Sequence, residues 1–334
     1  MKNKILLLLL FAVLIVVTPM LALVGKSYDA GTKPQVKDSE KKGEKIFEGG
    51  EIIVFDEANG KILTLTEREY VLGATLCEMP ASYEPEALKA QAVACHTYAL
   101  FVKKMRQSSP DPNLKSAYFT VNSSMLEGYM SIDRAKSYFK DSFSEYYSKV
   151  SAAVDEVLAQ VLTYDGELIS SCYHAISGGR TEASENVFAA PRPYLVSVDS
   201  KQDMTAPSFE SKVEMEAFVL EDKMKCFDAE FKATQPPSDW FGEKKLSDAK
   251  TVLTINICGR QYKGTQVREA LNLRSAAFDV KYENEKFIFT VRGFGHGVGM
   301  SQYGANELAK KGWSYKEILA QYYKGTALSK AEGF

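Results

Sequence analysis

The sequence has few of the residue types on which several classes of function depend. Among 334 residues there are 3 histidines and 5 cysteines. So few histidines leave little room for histidine-based metal chemistry, and five scattered cysteines exclude a disulfide scaffold. Basic residues number 41 against 43 acidic ones, so no basic excess points to a nucleic acid partner. A hydrophobic content of 45% indicates a folded globular protein of one or two domains, and excludes a polytopic membrane protein.

One long apolar run lies at the N-terminus, from Ile5 to Val24, behind Lys2 and Lys4. A run of about 20 apolar residues can cross a bilayer as a helix, and basic residues in front of it favour the cytoplasmic side. A cleaved signal peptide is the alternative, although no clear small-residue cleavage site precedes Gly25. Either interpretation places the folded part outside the cytoplasm. We expect a single-pass protein of the cell membrane.

Local signals predict the first elements after the polar segment. Asn59-Gly60 is a strong hairpin signal between two short strands, and Asp165-Gly166 is a similar signal further along. Thr66 and Glu69 match a capping box, which predicts a helix that begins at about Glu67. Pro80 must end that helix because it forces the preceding residue out of the α region.

Strands and helices are mixed without βαβ alternation, which predicts an α+β fold. We expect an anchor or signal over residues 1–24 and a polar linker over residues 25–50. A single folded domain follows over residues 51–334. It is expected to carry a helical insertion at about residues 107–150 and a charged, variable insertion at about residues 200–250.

Glu78 is the first candidate for chemistry, because it lies at the predicted end of a helix among apolar neighbours. Both desolvation and the negative end of the helix dipole raise the pKa of a carboxyl group. A carboxylic acid that stays partly protonated near pH 7 can serve as a general acid. By spacing alone, a solvated glutamate without a role is the commoner case.

The second candidate is a glycine-rich segment, Gly293 to Gly304, which follows a predicted strand and opens a helix. Its glycines recur at every second residue, which fits neither a dinucleotide-binding loop nor a P-loop. Such spacing lets the backbone run close to a bulky neighbour, either a sugar ring or another chain segment. His296 in this segment could donate to a sugar hydroxyl or simply bond to backbone.

The third candidate spans Cys172 to Glu182. On a strand, Cys172 and His174 would face the same side and could bind zinc, but two ligands do not make a usual zinc site. A buried thiol beside a substrate-facing histidine is the favoured alternative. Third ligands by residue type alone would be Cys95, His96 or Cys226.

Taken together, these segments resemble the SpoIID/LytB family. The resemblance runs from the strand after the linker to the C-terminus. It is carried by blocks of sequence that occur in the family's order: Glu78 to Pro80, Glu86 to Ala94, Thr97 to Ala99, His174 with Ser177 to Glu182, Pro193 to Leu195, Arg268 to Ser275, and Gly293 to Gly304 with Leu308-Ala309.

The resemblance implies a lytic transglycosylase that cleaves peptidoglycan between N-acetylmuramic acid and N-acetylglucosamine during engulfment, on strands stripped of stem peptides. Glu78 falls on the family's catalytic glutamate. His96 stands where the family usually has arginine. This position therefore lacks the paired N–H donors of a guanidinium group and its permanent positive charge. Weaker candidates for contacts with the polysaccharide are Lys89, His96, His174, Arg180, His296 and Gln302.

The resemblance also implies partners and an alternative function. The expected partners are peptidoglycan glycan strands, the amidase/endopeptidase SpoIIP and the membrane protein SpoIIM, with no nucleic acid. No cofactor is required for the chemistry, although some members carry zinc, for which Cys172 and His174 are the candidate ligands here. The LytB branch includes amidase enhancers, so a non-catalytic module that stimulates an amidase is the alternative.

Overall fold

The computed structural model describes residues 49–188 and 190–334. The predicted anchor at residues 1–24, and all of the linker at residues 25–50 except its last two positions, lie outside the described residues. Within the described part, no helix combines the length and apolarity needed to span a bilayer.

The described residues form eight α-helices. In chain order they are α1 (Glu67–Glu78), α2 (Pro85–Ser108), α3 (Ile132–Phe139), α4 (Phe143–Val157), α5 (Ala217–Phe227), α6 (Gly264–Leu271), α7 (Gln302–Lys310) and α8 (Tyr315–Tyr322).

The described strands are short and form several small sheets. In chain order they are β1 (Glu51–Asp56), β2 (Lys61–Thr66), β3 (Phe119–Val121), β4 (Gln160–Tyr164), β5 (Glu167–Leu168), β6 (Tyr173–His174), β7 (Glu210–Glu216), β8 (Phe241–Leu246), β9 (Val252–Ile257), β10 (Arg260–Lys263), β11 (Phe278–Glu283), β12 (Lys286–Arg292), β13 (Met300–Ser301) and β14 (Ala327–Lys330). The sheet orders are β2-β1-β3, β10-β9-β8, β11-β12-β7, β13-β6 and β14-β4-β5. Pairing is antiparallel except for β1 with β3 and β6 with β13. The predicted α+β fold is therefore confirmed.

The local signals around α1 act as predicted. The side chain of Thr66 accepts a hydrogen bond from the Glu69 amide, and the Glu69 carboxylate accepts one from the Thr66 amide. With Thr66 as the N-cap of this capping box, α1 begins at the next residue, Glu67. The helix ends at Glu78, and Met79 takes an extended conformation because Pro80 follows it. The end of α1 is thus fixed by residues on both sides of the candidate acid.

The larger hydrophobic core surrounds α2, and we call the part of the chain packed on it the first lobe. The alanine stripe of this helix is fully buried: Ala87, Ala90 and Ala94 have no exposed surface. Small side chains let α1, α4, α7, α8 and β4 approach α2 closely. The segment predicted as a helical insertion contributes α3, most of α4 and buried residues such as Met130 to the same core.

Residues 210–292, here called the second lobe, have a hydrophobic core of their own. It contains buried aromatic side chains of several strands, among them Phe278, Phe287 and Phe289, together with Trp240. The sheets β11-β12-β7 and β10-β9-β8 pack with α5 and α6 around this core. Much of the segment predicted as a charged insertion, residues 200–250, thus forms part of this second packed unit.

Candidate active site

A cavity of about 300 Å³ contains the predicted acid. Its walls come from the end of α1, the segment before and within α3, β6, the second-lobe helix α6 and the glycine-rich segment. Residues far apart in the chain therefore meet in one place. Of the predicted site residues, Glu78, His174, His296 and Gln302 all line this cavity.

Glu78 is the last residue of α1 and is partly buried in the cavity wall. Its Oε1 accepts one hydrogen bond, from the backbone amide of Gly128 at 3.1 Å. Burial raises the pKa of Glu78 to about 7; the Gly128 hydrogen bond opposes the rise and the negative charge of Glu127 adds to it. A carboxyl group with that pKa is protonated in about half of the molecules at neutral pH, as a general acid requires.

Gln302 holds the end of α1 in place. Its Nε2 donates to the backbone oxygen of Glu78 at 2.9 Å and lies 3.4 Å from Oε1 of the buried Gln91. The amide group of Gln302 is thus engaged with the protein itself. It joins α7 to α1 and fixes the backbone of Glu78, a positioning role that differs from the predicted sugar contact.

The glycine-rich segment packs against β6, so the bulky neighbour that its spacing predicted is another chain segment. A Cβ atom on Gly299 would lie 1.9 Å from the carbonyl oxygen of Cys172, and one on Gly295 would lie 2.8 Å from the Cβ of His174. Both glycines have positive φ angles, +75° and +112°. The close approach allows β6 and β13 to pair in parallel, and it brings the rings of His174 and His296 to a centroid distance of 5.8 Å.

The two histidines are neutral at pH 7. Burial lowers the pKa of His174 to about 3 and that of His296 to about 4, and the nearby charge of Arg268 acts in the same direction on both. The carbonyl of Val298 lies 3.2 Å from Nδ1 of His174 and can only accept, so Nδ1 carries the proton. Nε2 of His174 is buried and has no hydrogen-bond partner among the described residues. It is an unpaired acceptor on a residue that lines the cavity.

Comparison with known proteins identifies the family of this chain. A family model described as stage II sporulation protein matches residues 56–164. Stage II sporulation protein D of Bacillus subtilis is 33% identical over 283 residues, which covers 85% of this chain and 80% of that protein. The chain belongs to the stage II sporulation protein D (SpoIID) family.

Two further relatives extend the comparison beyond that protein. Stage II sporulation protein D of Bacillus amyloliquefaciens is 31% identical over 84% of this chain and 79% of its own length. The amidase enhancer of Bacillus subtilis is 28% identical over 75% of this chain, but the match covers 39% of that protein. Glu78 and the first part of the cavity wall, up to α3, lie within the matched SpoIID region.

Three predicted site residues do not reach the cavity. Lys89 forms ion pairs with Glu86 at 2.8 Å and Glu156 at 2.7 Å on the helix surface. Arg180 is exposed and donates to the side chain and backbone of Ser197.

His96, which the family resemblance predicted as a substrate contact in place of an arginine, is fully buried away from the cavity. Its Nε2 lies 3.0 Å from Oε2 of Glu67, at the opposite end of α1 from Glu78. Burial of Glu67 opposes its ionisation, but the hydrogen bond and charge of His96 and the charge of Lys103 together hold the pKa of Glu67 below its usual value. The histidine therefore holds the start of α1 against α2.

The residues around Cys172 and His174 do not complete a zinc site. No group of three histidine, cysteine, aspartate or glutamate side chains comes together anywhere in residues 49–188 and 190–334. The thiol of Cys172 lies 3.6 Å from the hydroxyl of Ser170 and does not line the cavity. The geometry thus gives the zinc hypothesis no support.

Two charged residues of the cavity wall were not predicted as site residues from the sequence. Arg268 lies in α6, within a block that carried the family resemblance, but nothing in its local pattern marks it as a site residue. Glu127 lies in the segment predicted as an insertion, where no motif distinguishes it. Both come to the cavity only through tertiary packing.

Proposed function

We propose that this protein is a sporulation peptidoglycan lytic transglycosylase that cleaves bonds between N-acetylmuramic acid and N-acetylglucosamine, with Glu78 as the general acid and base. The observation that carries the proposal is the buried carboxyl group of Glu78 in a cavity that also contains the glycine-rich segment. Burial raises the pKa of this group to about 7. Family membership supports the role in sporulation.

The proposed chemistry needs one carboxyl group and no water. Protonated Glu78 gives its proton to the glycosidic oxygen, and the bond from that oxygen to C1 of the muramoyl residue breaks. The muramoyl 6-hydroxyl oxygen bonds to C1, and the Glu78 carboxylate takes the hydroxyl proton. The products are a 1,6-anhydromuramoyl end and a free 4-hydroxyl end, and Glu78 is protonated again.

The described contacts suit these steps. The Gly128 amide holds one oxygen of Glu78, and the Gln302 contact fixes its backbone, so the acid has a defined position. The bare Nε2 of His174 can accept a hydrogen bond from a sugar hydroxyl without taking its proton, because its pKa is so low.

The test is product analysis with residues 49–334 of the protein and purified glycan strands stripped of stem peptides. The protein should release glycan fragments with 1,6-anhydro ends, detected by mass spectrometry. Glu78→Gln keeps the shape of the side chain but cannot donate a proton, so release should fall by about 10²–10⁴-fold. The matched control, Glu332→Gln at an exposed position, should retain activity. Normal release by Glu78→Gln would remove Glu78 from the mechanism.

A second candidate function is suggested by the relative named amidase enhancer. In that case the cavity binds glycan without cleaving it, and a partner amidase removes stem peptides faster. The same product analysis separates the two functions, because an enhancer alone leaves the length of the glycan strands unchanged.

The remaining predictions extend the proposal to the cell. We propose that the domain acts outside the cytoplasm, anchored by residues 1–24, on glycan strands and beside the proteins SpoIIP and SpoIIM. Co-purification of the full chain with each protein from detergent-solubilised membranes tests these partners.

A further inference from the structure

Among the described residues, the cavity wall carries one cationic group, and that group has no partner. Nε of Arg268 is buried and has no hydrogen-bond partner, and none of the described acidic residues forms an ion pair with its guanidinium group. Of the other arginines of the second lobe, Arg260 is paired, with Asp228 at 3.2 Å and Glu230 at 3.3 Å. Arg274 also has buried, unpaired nitrogens, but it does not line the cavity. Arg268 therefore differs from an ordinary surface arginine.

The surroundings of Arg268 make its charge costly without a ligand. Burial lowers the pKa of Arg268, and the charge of the neighbouring Glu269 only partly offsets this. An arginine nevertheless stays protonated in a protein, and the adjacent His174 and His296 are neutral at pH 7. A charge that is partly removed from water without a partner costs free energy, which a bound anion would recover.

The backbone around Arg268 is firmly placed. Val267 and Leu271 of α6 are buried in the core of the second lobe, and Asn272 ends the helix in a left-handed conformation. The start of the helix lies directly on β9, since a Cβ atom on Gly264 would meet the carbonyl oxygen of Val252 at 1.9 Å. Arg268 thus projects from a rigid helix, as a specificity-determining residue should.

We propose that Arg268 binds the free lactyl carboxylate of the muramoyl residue whose glycosidic bond is cleaved. The inference rests on the proposed function and names the group by which the site selects its substrate. In strands stripped of stem peptides the lactyl carboxyl is free and negatively charged. In strands that keep their peptides the same carboxyl is an amide, which carries no charge and accepts a hydrogen bond more weakly.

The position of the two groups fits one sugar residue. Glu78 comes from the first lobe and Arg268 from the second, and both line the same cavity. Its volume of about 300 Å³ is at the small end of the range for ligand pockets, so one monosaccharide unit would contact both walls. A planar guanidinium group pairs with a carboxylate through two parallel hydrogen bonds.

The experiment compares two glycan substrates that differ at one group. The first is a stripped strand with free lactyl carboxylates, and the second is the same strand after carbodiimide coupling to methylamine, which turns each carboxylate into a neutral amide. For the unmodified protein we expect kcat/KM for anhydro-product release to be about ten- to a hundredfold higher on the free strand.

Arg268→Met should remove that preference, so that both strands react at the lower rate. Arg268→Lys keeps the positive charge but loses the paired N–H donors of the guanidinium group. It should retain part of the preference for the free carboxylate. Arg260→Met is the matched control in the same lobe, because it removes an exposed, paired arginine; it should leave the preference unchanged. An equal loss of activity of Arg268→Met on both strands would overturn the proposal.

Binding measurements separate this inference from the proposed function. Calorimetry with Glu78→Gln and with Glu78→Gln combined with Arg268→Met gives Kd for short oligomers of each kind without turnover. Preference for the free carboxylate in the first protein and not in the second supports the role of Arg268 even if no anhydro product is ever released. Equal affinities of Glu78→Gln for both oligomers would refute that role even if the protein is an active transglycosylase.

Discussion

At the scale of single residues, the burial of Glu78 in the cavity wall lowers the stability of the folded protein at neutral pH. The pKa of Glu78 in the folded protein is about 7, above its ordinary value of 4.5, because the cavity wall disfavours the carboxylate. A group with a raised pKa in the folded state binds more protons there than in the unfolded chain. Stability therefore falls as pH rises from about 4.5 to about 7, and the loss is complete above pH 7.

This linkage predicts that the inactive variant is the more stable one. At pH 8, Glu78→Gln should unfold at a higher urea concentration than the unmodified domain, by on the order of 2 kcal/mol in free energy of unfolding. The difference should shrink as pH falls to 4, which is below the pKa of Glu78 in both states, so that most molecules carry a neutral Glu78. Urea titrations at pH 4, 6 and 8 test this, and a difference that is independent of pH would contradict it.

Glu127 gives a second prediction at this scale, on pH dependence. Its negative charge helps to raise the pKa of Glu78. In Glu127→Gln the pKa of Glu78 should fall, because the negative charge of Glu127 is gone. Glu78 then loses its proton at a lower pH, and the alkaline limb of the pH–activity profile moves to lower pH. Maximal turnover should change little, because the proposed chemistry uses one carboxyl group.

The same variant distinguishes the proposed reaction from hydrolysis by two carboxylates. An enzyme that depends on a carboxylate pair loses most of its activity when either member is removed. Loss of turnover in Glu127→Gln at every pH, together with products that end in a reducing sugar, would favour that mechanism. The pH profile and the product ends can be measured on the same samples.

At the scale of elements, the pairing of β6 with β13 depends on the alternating glycines. The pairing places Met300 beside Tyr173 and Ser301 beside His174, and so sets the position of one cavity wall. It is possible because the backbone of the glycine-rich segment approaches β6 more closely than any side chain would allow.

Gly299→Ala should therefore destabilise the domain strongly. The new Cβ atom would meet a backbone oxygen at 1.9 Å, and φ of +75° adds strain, for a total loss of more than about 3 kcal/mol. Gly312→Ala is the matched control: φ is +85° but the space around it is open, so about 1–2 kcal/mol is expected. Equal losses in urea unfolding would show that the backbone angle, and not the contact, decides the effect.

At the scale of the whole molecule, the position of Arg268 in the cavity wall depends on how two cores are held against each other. Glu182 of the first lobe is buried and accepts hydrogen bonds from its own side, from Ala183 and Asn186. It also accepts one from the hydroxyl of Ser247 in the second lobe, at 2.5 Å. This carboxylate is a polar connection between the lobe that carries Glu78 and the lobe that carries Arg268.

Ser247→Ala should weaken that connection. The variant leaves a buried carboxylate short of one donor, which should lower the free energy of unfolding by about 1–3 kcal/mol. Ser238→Ala, at an exposed position of the same lobe, should have an effect within about 0.5 kcal/mol. Chemical denaturation of both variants tests the difference, and equal stabilities would mean that the hydroxyl contributes nothing to the contact between lobes.

The sequence by itself determined the features whose causes lie within a few residues. The capping box of Thr66 and Glu69 and the stop at Pro80 placed α1 and left Glu78 at its end. The hairpin at Asp165-Gly166 also formed as predicted, with both residues at positive φ. Such signals act through local hydrogen bonds and steric limits, and tertiary packing did not override them.

Only the tertiary structure decided which distant residues share the cavity. Helical period identifies the buried face of α2, but it cannot tell that His96 on that helix meets Glu67 instead of substrate. Likewise, no local pattern brings Arg268 to the cavity of Glu78, because that meeting depends on how two separate hydrophobic cores pack together. Contacts of this kind arise from the sum of many weak, non-directional interactions, which leave no short motif in the sequence.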